Sequence, residues 1–140
     1  MRQVKNLPSD AYLQIVGVMP ILCVDLVIRN SEGKYLLVKR NNEPLKGQWW
    51  VPGGRVFKGE SLQEAAIRKA REELSLEISS LVPVGYQEYF LGEYHSVGFV
   101  FTGTVADEDV VLDSQSNAWG FFPTLPSGFI IVPFEKVGQC

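Results

Sequence analysis

Residues 51–76, VPGGRVFKGESLQEAAIRKAREELSL, decide the fold of this chain. The stretch begins with a Pro-Gly-Gly turn and a glycine-containing loop, and it continues into strong helix formers from Leu62 to about Leu74. Ser61 and Glu64, three residues apart, have the spacing of a capping box that fixes the start of a helix. The sequence therefore predicts a turn, a loop and one long helix in direct succession.

The predicted helix has an apolar stripe and a charged arc. At about 100° per residue, the stripe contains Leu62, Ala66, Ile67, Ala70 and Leu74. Such a stripe is expected to lie on a sheet. Lys69, Glu72 and Glu73 fall on the adjoining arc, beside the start of the loop.

The two neighbouring carboxylates, Glu72 and Glu73, allow two interpretations. At the edge of a buried surface they repel each other and lose hydration, and a divalent cation would relieve both costs. A backbone carbonyl of the preceding Gly-Gly turn adds an oxygen donor suited to Mg²⁺ or Mn²⁺. A solvated acidic face paired with Arg68 and Arg71 explains the same pattern without a metal.

The loop and the helix together resemble the Nudix signature, which is Gly, five residues, Glu, seven residues, then Arg-Glu-aliphatic-x-Glu-Glu-x-Gly-aliphatic. From Gly54, this chain has Glu60 after five residues and Arg68 after seven more. It continues with KAREELSL, so that the Nudix box spans residues 54–76. Two positions depart from the signature: Lys69 replaces the first Glu of the triplet, and Ser75 replaces the Gly.

This resemblance implies a single domain over residues 1–140 with an α/β/α sandwich around a mixed β-sheet. It also implies hydrolysis of a nucleoside diphosphate linked to another group. Gly53 (through its carbonyl), Glu72 and Glu73 would be metal ligands, while Arg68 and Glu60 would brace the loop. An ammonium cannot ligate a cation, so Lys69 favours a site with one principal metal.

Within the family, the chain looks most like the GDP-mannose mannosyl hydrolases. The likeness rests on Val24-Asp25, on Lys39-Arg40 followed by Asn42, and on the run WWVPGGRV at 49–56. It implies that Arg40 and Arg55 contact the diphosphate and act in catalysis with Glu73, and that Asp25 lies close to the substrate. Paired guanidinium groups suit a diphosphate, although a surface salt-bridging role would also explain both arginines.

The same branch implies roles for two residues in the run DSQSNAW at 113–119. Gln115 matches a glutamine that completes the metal shell. Ser116 stands where the branch has its histidine base, and a serine hydroxyl cannot serve as that base. His95 is the single histidine of the chain and is a possible substitute, although a lone histidine in a strand is more often structural.

Composition limits the class of protein. The chain has 140 residues, of which 46% are hydrophobic, and a net charge of −3. These values favour one globular domain and provide no basic field for nucleic acid, while a small nucleotide with its counter-ion is compatible with them. No apolar run is long enough to span a bilayer. Two unpaired-looking cysteines and no signal peptide indicate the cytoplasm. Residues 8–18 have the pattern of a short helix that packs either outside the core or against a second subunit in a homodimer.

Three functions remain open from the sequence. The first is a Mg²⁺- or Mn²⁺-dependent hydrolase of a nucleoside diphosphate sugar, GDP-mannose-like, attacking at carbon or at phosphorus. The second is a general nucleotide pyrophosphatase. The third is a weakly active module that binds a nucleotide sugar for a partner. Glu72 and Glu73 favour the enzymes, whereas Lys69 and Ser116 favour the binding module.

Overall fold

The computed structural model describes residues 8–78, 80–105, 110–113 and 116–137. The elements, in chain order, are α1 (Ser9–Val18), β1 (Ile21–Arg29), β2 (Tyr35–Arg40), β3 (Trp49–Trp50), β4 (Gly53–Arg55), α2 (Leu62–Leu74), β5 (Val82–Leu91), β6 (Tyr94–Thr104), β7 (Ser116–Phe122), β8 (Val132–Pro133) and α3 (Phe134–Val137). None of the helices in these ranges is long and apolar enough to cross a membrane.

The eight strands form one mixed sheet. Its main order is β3-β2-β1-β6-β5-β8, with β7 paired to β2 and β4 paired to β1. β1 runs parallel to β6, from Ile21 opposite Ser96 to Arg29 opposite Thr104, and the other pairings are antiparallel. The predicted α/β class with a mixed sheet is therefore confirmed.

β4 is placed against the centre of β1. β2 pairs with β1 at Arg29 and Tyr35, and β4 pairs with β1 at residues 23–25, where Asp25 lies opposite Gly53. This pairing brings the Gly-Gly turn beside the single charged residue in the middle of β1.

Apolar side chains of alternate residues fill both faces of the sheet, as the period of two in a strand requires. On one face, α2 covers a cluster that includes Val24, Leu26 and Ile28 of β1. On the other face, Val27 belongs to a second cluster around Phe129. The core therefore has two layers, and α2 belongs to the larger of them.

The buried face of α2 differs from the predicted stripe. Its buried residues are Ala65, Ala66, Lys69, Ala70, Glu73 and Leu74, whereas Leu62 and Ile67 are only partly buried. Lys69 and Glu73 thus lie on the buried face of α2, whereas the helical period predicts that they lie on the arc beside it. Burial of both is possible because the ammonium and the carboxylate are paired, with Nζ 3.7 Å from Oε2.

Both ends of α2 are fixed by their own residues. At the start, the Ser61 hydroxyl accepts a hydrogen bond from the Glu64 amide at 3.0 Å, which confirms the predicted cap. At the end, Ser75 has left-handed dihedrals, φ 57° and ψ 33°. It occupies the signature position of Gly, the residue that adopts this conformation without a steric cost. Its hydroxyl donates to the Val111 carbonyl at 3.2 Å.

We predict that Ser75→Val destabilises the protein by about 1–2 kcal/mol relative to Ser75→Gly, because left-handed dihedrals disfavour a branched side chain. Both variants lack the hydroxyl that donates to Val111. The difference between their free energies of unfolding therefore reports the cost of placing a branched side chain in a left-handed backbone conformation. Urea denaturation measures it, and equal free energies of unfolding for the two variants would contradict the assignment.

Candidate functional site

A bidentate ion pair fastens the loop that follows β4 to α2. Arg68 donates from Nε to Glu60 Oε2 at 2.6 Å and from Nη2 to Oε1 at 2.9 Å. The guanidinium also donates to the Arg55 carbonyl at 2.9 Å, and Glu60 accepts from the Phe57 amide at 2.8 Å. Both side chains are 12% exposed. The predicted bracing contact between Arg68 and Glu60 is thus present.

Glu73 is buried where α2 meets β4, and donors surround its carboxylate. Oε2 accepts from the Gly53 amide at 3.2 Å and faces Lys69 Nζ at 3.7 Å. Oε1 accepts from the Ser116 hydroxyl at 3.4 Å. Burial raises the pKa of Glu73 to about 7, against the lowering effect of Lys69, and nearby Asp113 raises it further.

The two glycines of the turn are needed for different contacts. A Cβ on Gly53 would collide with the Val24 carbonyl and lie 3.1 Å from Asp25 Oδ1. A Cβ on Gly54 would lie 2.5 Å from Cε and 3.0 Å from Nζ of Lys69. The first glycine thus allows the close approach of β4 to β1, and the second leaves the path of the Lys69 side chain open.

Asp25 is a buried carboxylate held by one amide. It is 7% exposed, and Gln87 Nε2 donates to its Oδ2 at 3.1 Å. A Cβ on Gly98 would occupy the position of the same oxygen, so the glycine makes room for the carboxylate. Burial raises the pKa of Asp25 to about 6, and the Gln87 hydrogen bond and the Arg40 charge limit that rise.

These groups meet at a polar cleft of about 330 Å³. Five of the residues predicted from the sequence line it: Asp25, Arg40, Gly53, Arg55 and Glu72. Lys69 also lines the cleft, whereas its ion-pair partner Glu73 is not among the lining residues. The predicted site residues of β1, β2, β4 and α2 therefore converge on one place. Gln115 lies outside the described residues.

Two of the arginines that line the cleft come from the ends of two different strands. Arg40 ends β2, and its Nε donates to the Pro44 carbonyl at 2.7 Å. Arg55 ends β4, and its guanidinium carbon lies 5.3 Å from the Tyr12 ring centre and 5.2 Å from that of Phe57. Both distances are within the range of cation–π attraction. The sheet and α1 together thus hold two guanidinium groups at one cleft.

The chain matches the family model described as the NUDIX domain over residues 19–125. It belongs to the Nudix family. It is 38% identical over 120 residues to the low-salt glycan biosynthesis protein Agl8 of Haloferax volcanii, covering 80% of this chain and 76% of that protein. An ADP-ribose pyrophosphatase of Methanocaldococcus jannaschii is 42% identical over 67 residues, covering 46% of this chain and 39% of that protein.

Solved structures agree with this assignment. The MutT protein of Methanosarcina mazei Go1 has a TM-score of 0.70 and 31% identity, covering 79% of this chain and 88% of that one. The match extends over most of both chains, so the Nudix fold is that of the domain as a whole.

The oxygen donors of this Nudix site are suited to a hard cation but are few. Among the residues that the structure describes, no group of three His, Cys, Asp or Glu side chains is arranged to hold a metal ion. The Gly53 peptide and the Glu73 carboxylate are nevertheless neighbours at 3.2 Å. Glu72 is 42% exposed at the cleft, where Arg68 Nη1 lies 3.1 Å from its Oε2. The chemistry of these oxygen groups suits one divalent ion. In this structure the Glu73 carboxylate faces the Lys69 ammonium and Glu72 is paired with Arg68.

The structure also separates the aromatic residues and the histidine that the sequence left open. Tyr12 and Tyr94 line the Nudix cleft, whereas Trp49 packs on Phe122 with ring centres 4.9 Å apart. His95 does not line this cleft; it stacks on Phe90 at 4.3 Å. Its position therefore provides no support for His95 as the base.

Sequence reasoning missed several residues of the cleft. Tyr89 and Ser96 line it, and the Gln87 side-chain amide donates a hydrogen bond to Asp25. Gln87 and Tyr89 are two residues apart on β5, so they face the same side of the sheet. The alternation along this strand predicts that Gln87 and Tyr89 share a face. The sequence does not predict that β6 lies between β5 and β1, which is what brings that face to the cleft.

We predict that Asp25→Asn gains stability relative to the wild type as pH rises from 4 to 7. The unfolded carboxyl ionises near its usual 3.8 while the folded one stays protonated up to about 6. Wild-type stability is therefore lost across that interval. The difference between the two values corresponds to roughly 3 kcal/mol.

Thermal unfolding of both proteins across this pH range in metal-free buffer measures the effect. Asp10→Asn makes the same change at an exposed position of α1. An equal pH trend in that control would show that burial of Asp25 is not the cause.

Proposed function

We propose that this Nudix protein is a divalent-cation-dependent hydrolase of a nucleoside diphosphate sugar, GDP-mannose-like, releasing the nucleotide and a sugar or sugar phosphate. The observation that carries the proposal is the convergence of Arg40 and Arg55 on the cleft that Gly53, Glu72 and Asp25 also line. The cleft thus combines guanidinium donors that suit a diphosphate, oxygen ligands that suit a cation, and a buried carboxylate that suits the hydroxyl groups of a sugar.

The two guanidinium groups are suited to the diphosphate. Each offers parallel N–H donors that match two phosphate oxygens. The contact of Arg40 with Pro44 and the ring contacts of Arg55 limit the motion of both side chains. The positions are therefore set before the ligand binds. The two charges would stabilise the diphosphate as it leaves.

The Gly53 carbonyl, Glu72 and Glu73 would hold one Mg²⁺ or Mn²⁺, with Gln115 as a further proposed ligand. When bound, such an ion would supply Lewis-acid stabilisation of charge on the diphosphate. The Gly53 amide fixes one carboxylate oxygen of Glu73, and Ser116 fixes the other. These bonds orient Glu73 toward the turn.

Asp25 is the proposed contact for the sugar. Its carboxylate accepts from Gln87 on one oxygen and lines the cleft, so a sugar hydroxyl could donate to it. Tyr12 and Tyr94 line the same cleft and offer ring faces to the base or the sugar. The likeness to Agl8, named for glycan biosynthesis, supports a sugar-linked substrate.

A general nucleotide pyrophosphatase is the second candidate. The likeness to an ADP-ribose pyrophosphatase supports it, since that name implies attack at phosphorus. Ser116 in place of a base supports the third candidate, the weakly active binding module. The cytoplasmic location and the homodimer stay predictions.

We expect GDP-mannose to be hydrolysed in the presence of Mg²⁺, and hydrolysis in water enriched in ¹⁸O identifies the bond that breaks. Attack at carbon places the label in the released sugar, whereas attack at phosphorus places it in a phosphate group. Mass spectrometry of the products decides between them. Binding of GDP-mannose without any turnover would favour the binding module.

We predict that Glu73→Gln lowers kcat by roughly a hundredfold or more, because loss of a charged metal ligand removes several kcal/mol of charge stabilisation. The amide retains the size of the side chain and can still accept from the Gly53 amide, but it leaves the buried Lys69 ammonium without its counter-charge, so the fold is checked alongside turnover. Turnover and circular dichroism measure the two effects. Unchanged turnover in this variant would rule out the metal assignment.

We predict that Arg40→Met and Arg55→Met each raise KM and the Kd of GDP by roughly 10- to 100-fold, the usual range for a lost hydrogen bond to a charged group. Arg71→Met is the matched control, because Arg71 is 57% exposed and pairs with Glu77 on the outer side of α2. If the control weakens GDP binding equally, the effect is one of overall charge and the proposed clamp is wrong.

A further inference from the structure

The side chain of Lys69 is a buried cation at the wall of the cleft. It is 4% exposed, and its carboxylate partner Glu73 is 3% exposed. Its stem crosses the face of Gly54, where a Cβ would lie 3.0 Å from Nζ. The stem is thereby held in one path, and the ammonium lies among the residues that line the cleft.

The ammonium has more donors than Glu73 uses. A lysine carries three N–H donors, and Nζ lies 3.7 Å from Glu73 Oε2. That is longer than the 2.7–2.9 Å of a charge-assisted hydrogen bond. Oε2 takes its hydrogen bond from the Gly53 amide instead. Among the residues that the structure describes, Glu73 is the one ion-pair partner of Lys69.

The surroundings of Lys69 are suited to an anion. Four cationic side chains line this cleft, namely Lys69, Arg40, Arg55 and Arg68. Arg68 is paired with Glu60 and Glu72. A buried ammonium is costly unless it is paired and hydrogen-bonded. An oxyanion in the cleft would supply the hydrogen bonds that the long contact with Glu73 does not.

We propose that the Lys69 ammonium binds an oxygen of the ligand's diphosphate directly, as a third phosphate-binding cation beside Arg40 and Arg55. It does so while it stays paired with Glu73, so it links the ligand to the carboxylate at the turn. The inference rests on the proposed function in one respect, the presence of a diphosphate in the ligand. It requires no metal ion for the contact.

Inorganic pyrophosphate, titrated calorimetrically into metal-free protein, tests the proposal. We expect Lys69→Met to weaken binding about tenfold, the lower end of the range for a lost hydrogen bond to a charged group. Lys34→Met makes the same change at an exposed turn, where Lys34 pairs with Glu32; we expect it to bind as the wild type does. Wild-type affinity in Lys69→Met would overturn the proposal.

A double-mutant cycle with Glu73→Gln separates ligand binding from mere support of Glu73. Glu73→Gln releases the ammonium from its counter-charge, so we expect pyrophosphate to bind more tightly than in the wild type. That gain should disappear in Lys69→Met/Glu73→Gln. If the gain persists there, it comes from removal of a negative charge alone, and the proposal fails.

The double variant removes both buried charges, which keeps the test valid even if Lys69→Met alone unfolds. The comparison between Glu73→Gln and the double variant then decides the outcome, since Lys69 is the one difference between them. If the two variants bind pyrophosphate equally, the Lys69 proposal is wrong, but the proposed hydrolysis of GDP-mannose is not contradicted. Absence of that hydrolysis, in turn, would leave the metal-free binding result standing.

Discussion

The burial of Glu73 between α2 and β4 is the constraint on which the site depends. A carboxylate that is 3% exposed needs compensation, and the surrounding groups provide it from three parts of the chain. The Gly53 amide comes from the turn, the Lys69 ammonium from the preceding helical turn, and the Ser116 hydroxyl from β7. The contacts with Gly53 and Ser116 each fix one element relative to α2, so the turn and β7 are held against the helix around one charge.

The Arg68–Glu60 pair completes this arrangement from the outer side of the loop. Its two short hydrogen bonds and the contact with the Arg55 carbonyl hold the residues that follow β4 against the helix. Arg55 is therefore positioned by its own backbone as well as by the rings of Tyr12 and Phe57. The side of the cleft that is proposed to bind phosphate is thus built on hydrogen-bonded backbone.

The two departures from the Nudix signature have different physical consequences. Ser75 keeps the left-handed conformation that glycine adopts freely, and its hydroxyl gains a contact with Val111. Lys69 changes the charge of the site, because an ammonium stands where the signature has a carboxylate. The resulting pair with Glu73 is buried, so the substitution alters the electrostatics of the cleft and leaves the helix in place.

The sequence by itself determined the turn, the cap, the long helix and the spacing of the Nudix box, because these depend on backbone preferences and on residues close together in the chain. The likeness to known families also gave five of the residues that line the cleft, namely Asp25, Arg40, Gly53, Arg55 and Glu72. Only the tertiary structure decided that Lys69 and Glu73 are buried, since the helical period places them beside the apolar stripe and the depth of their burial depends on how α2 meets β4. The contacts of Asp25 with Gln87 and of Glu73 with Ser116 join residues far apart in sequence. Those contacts depend on the order of the strands in the sheet. The periodicity of apolar residues along one strand or helix does not predict that order.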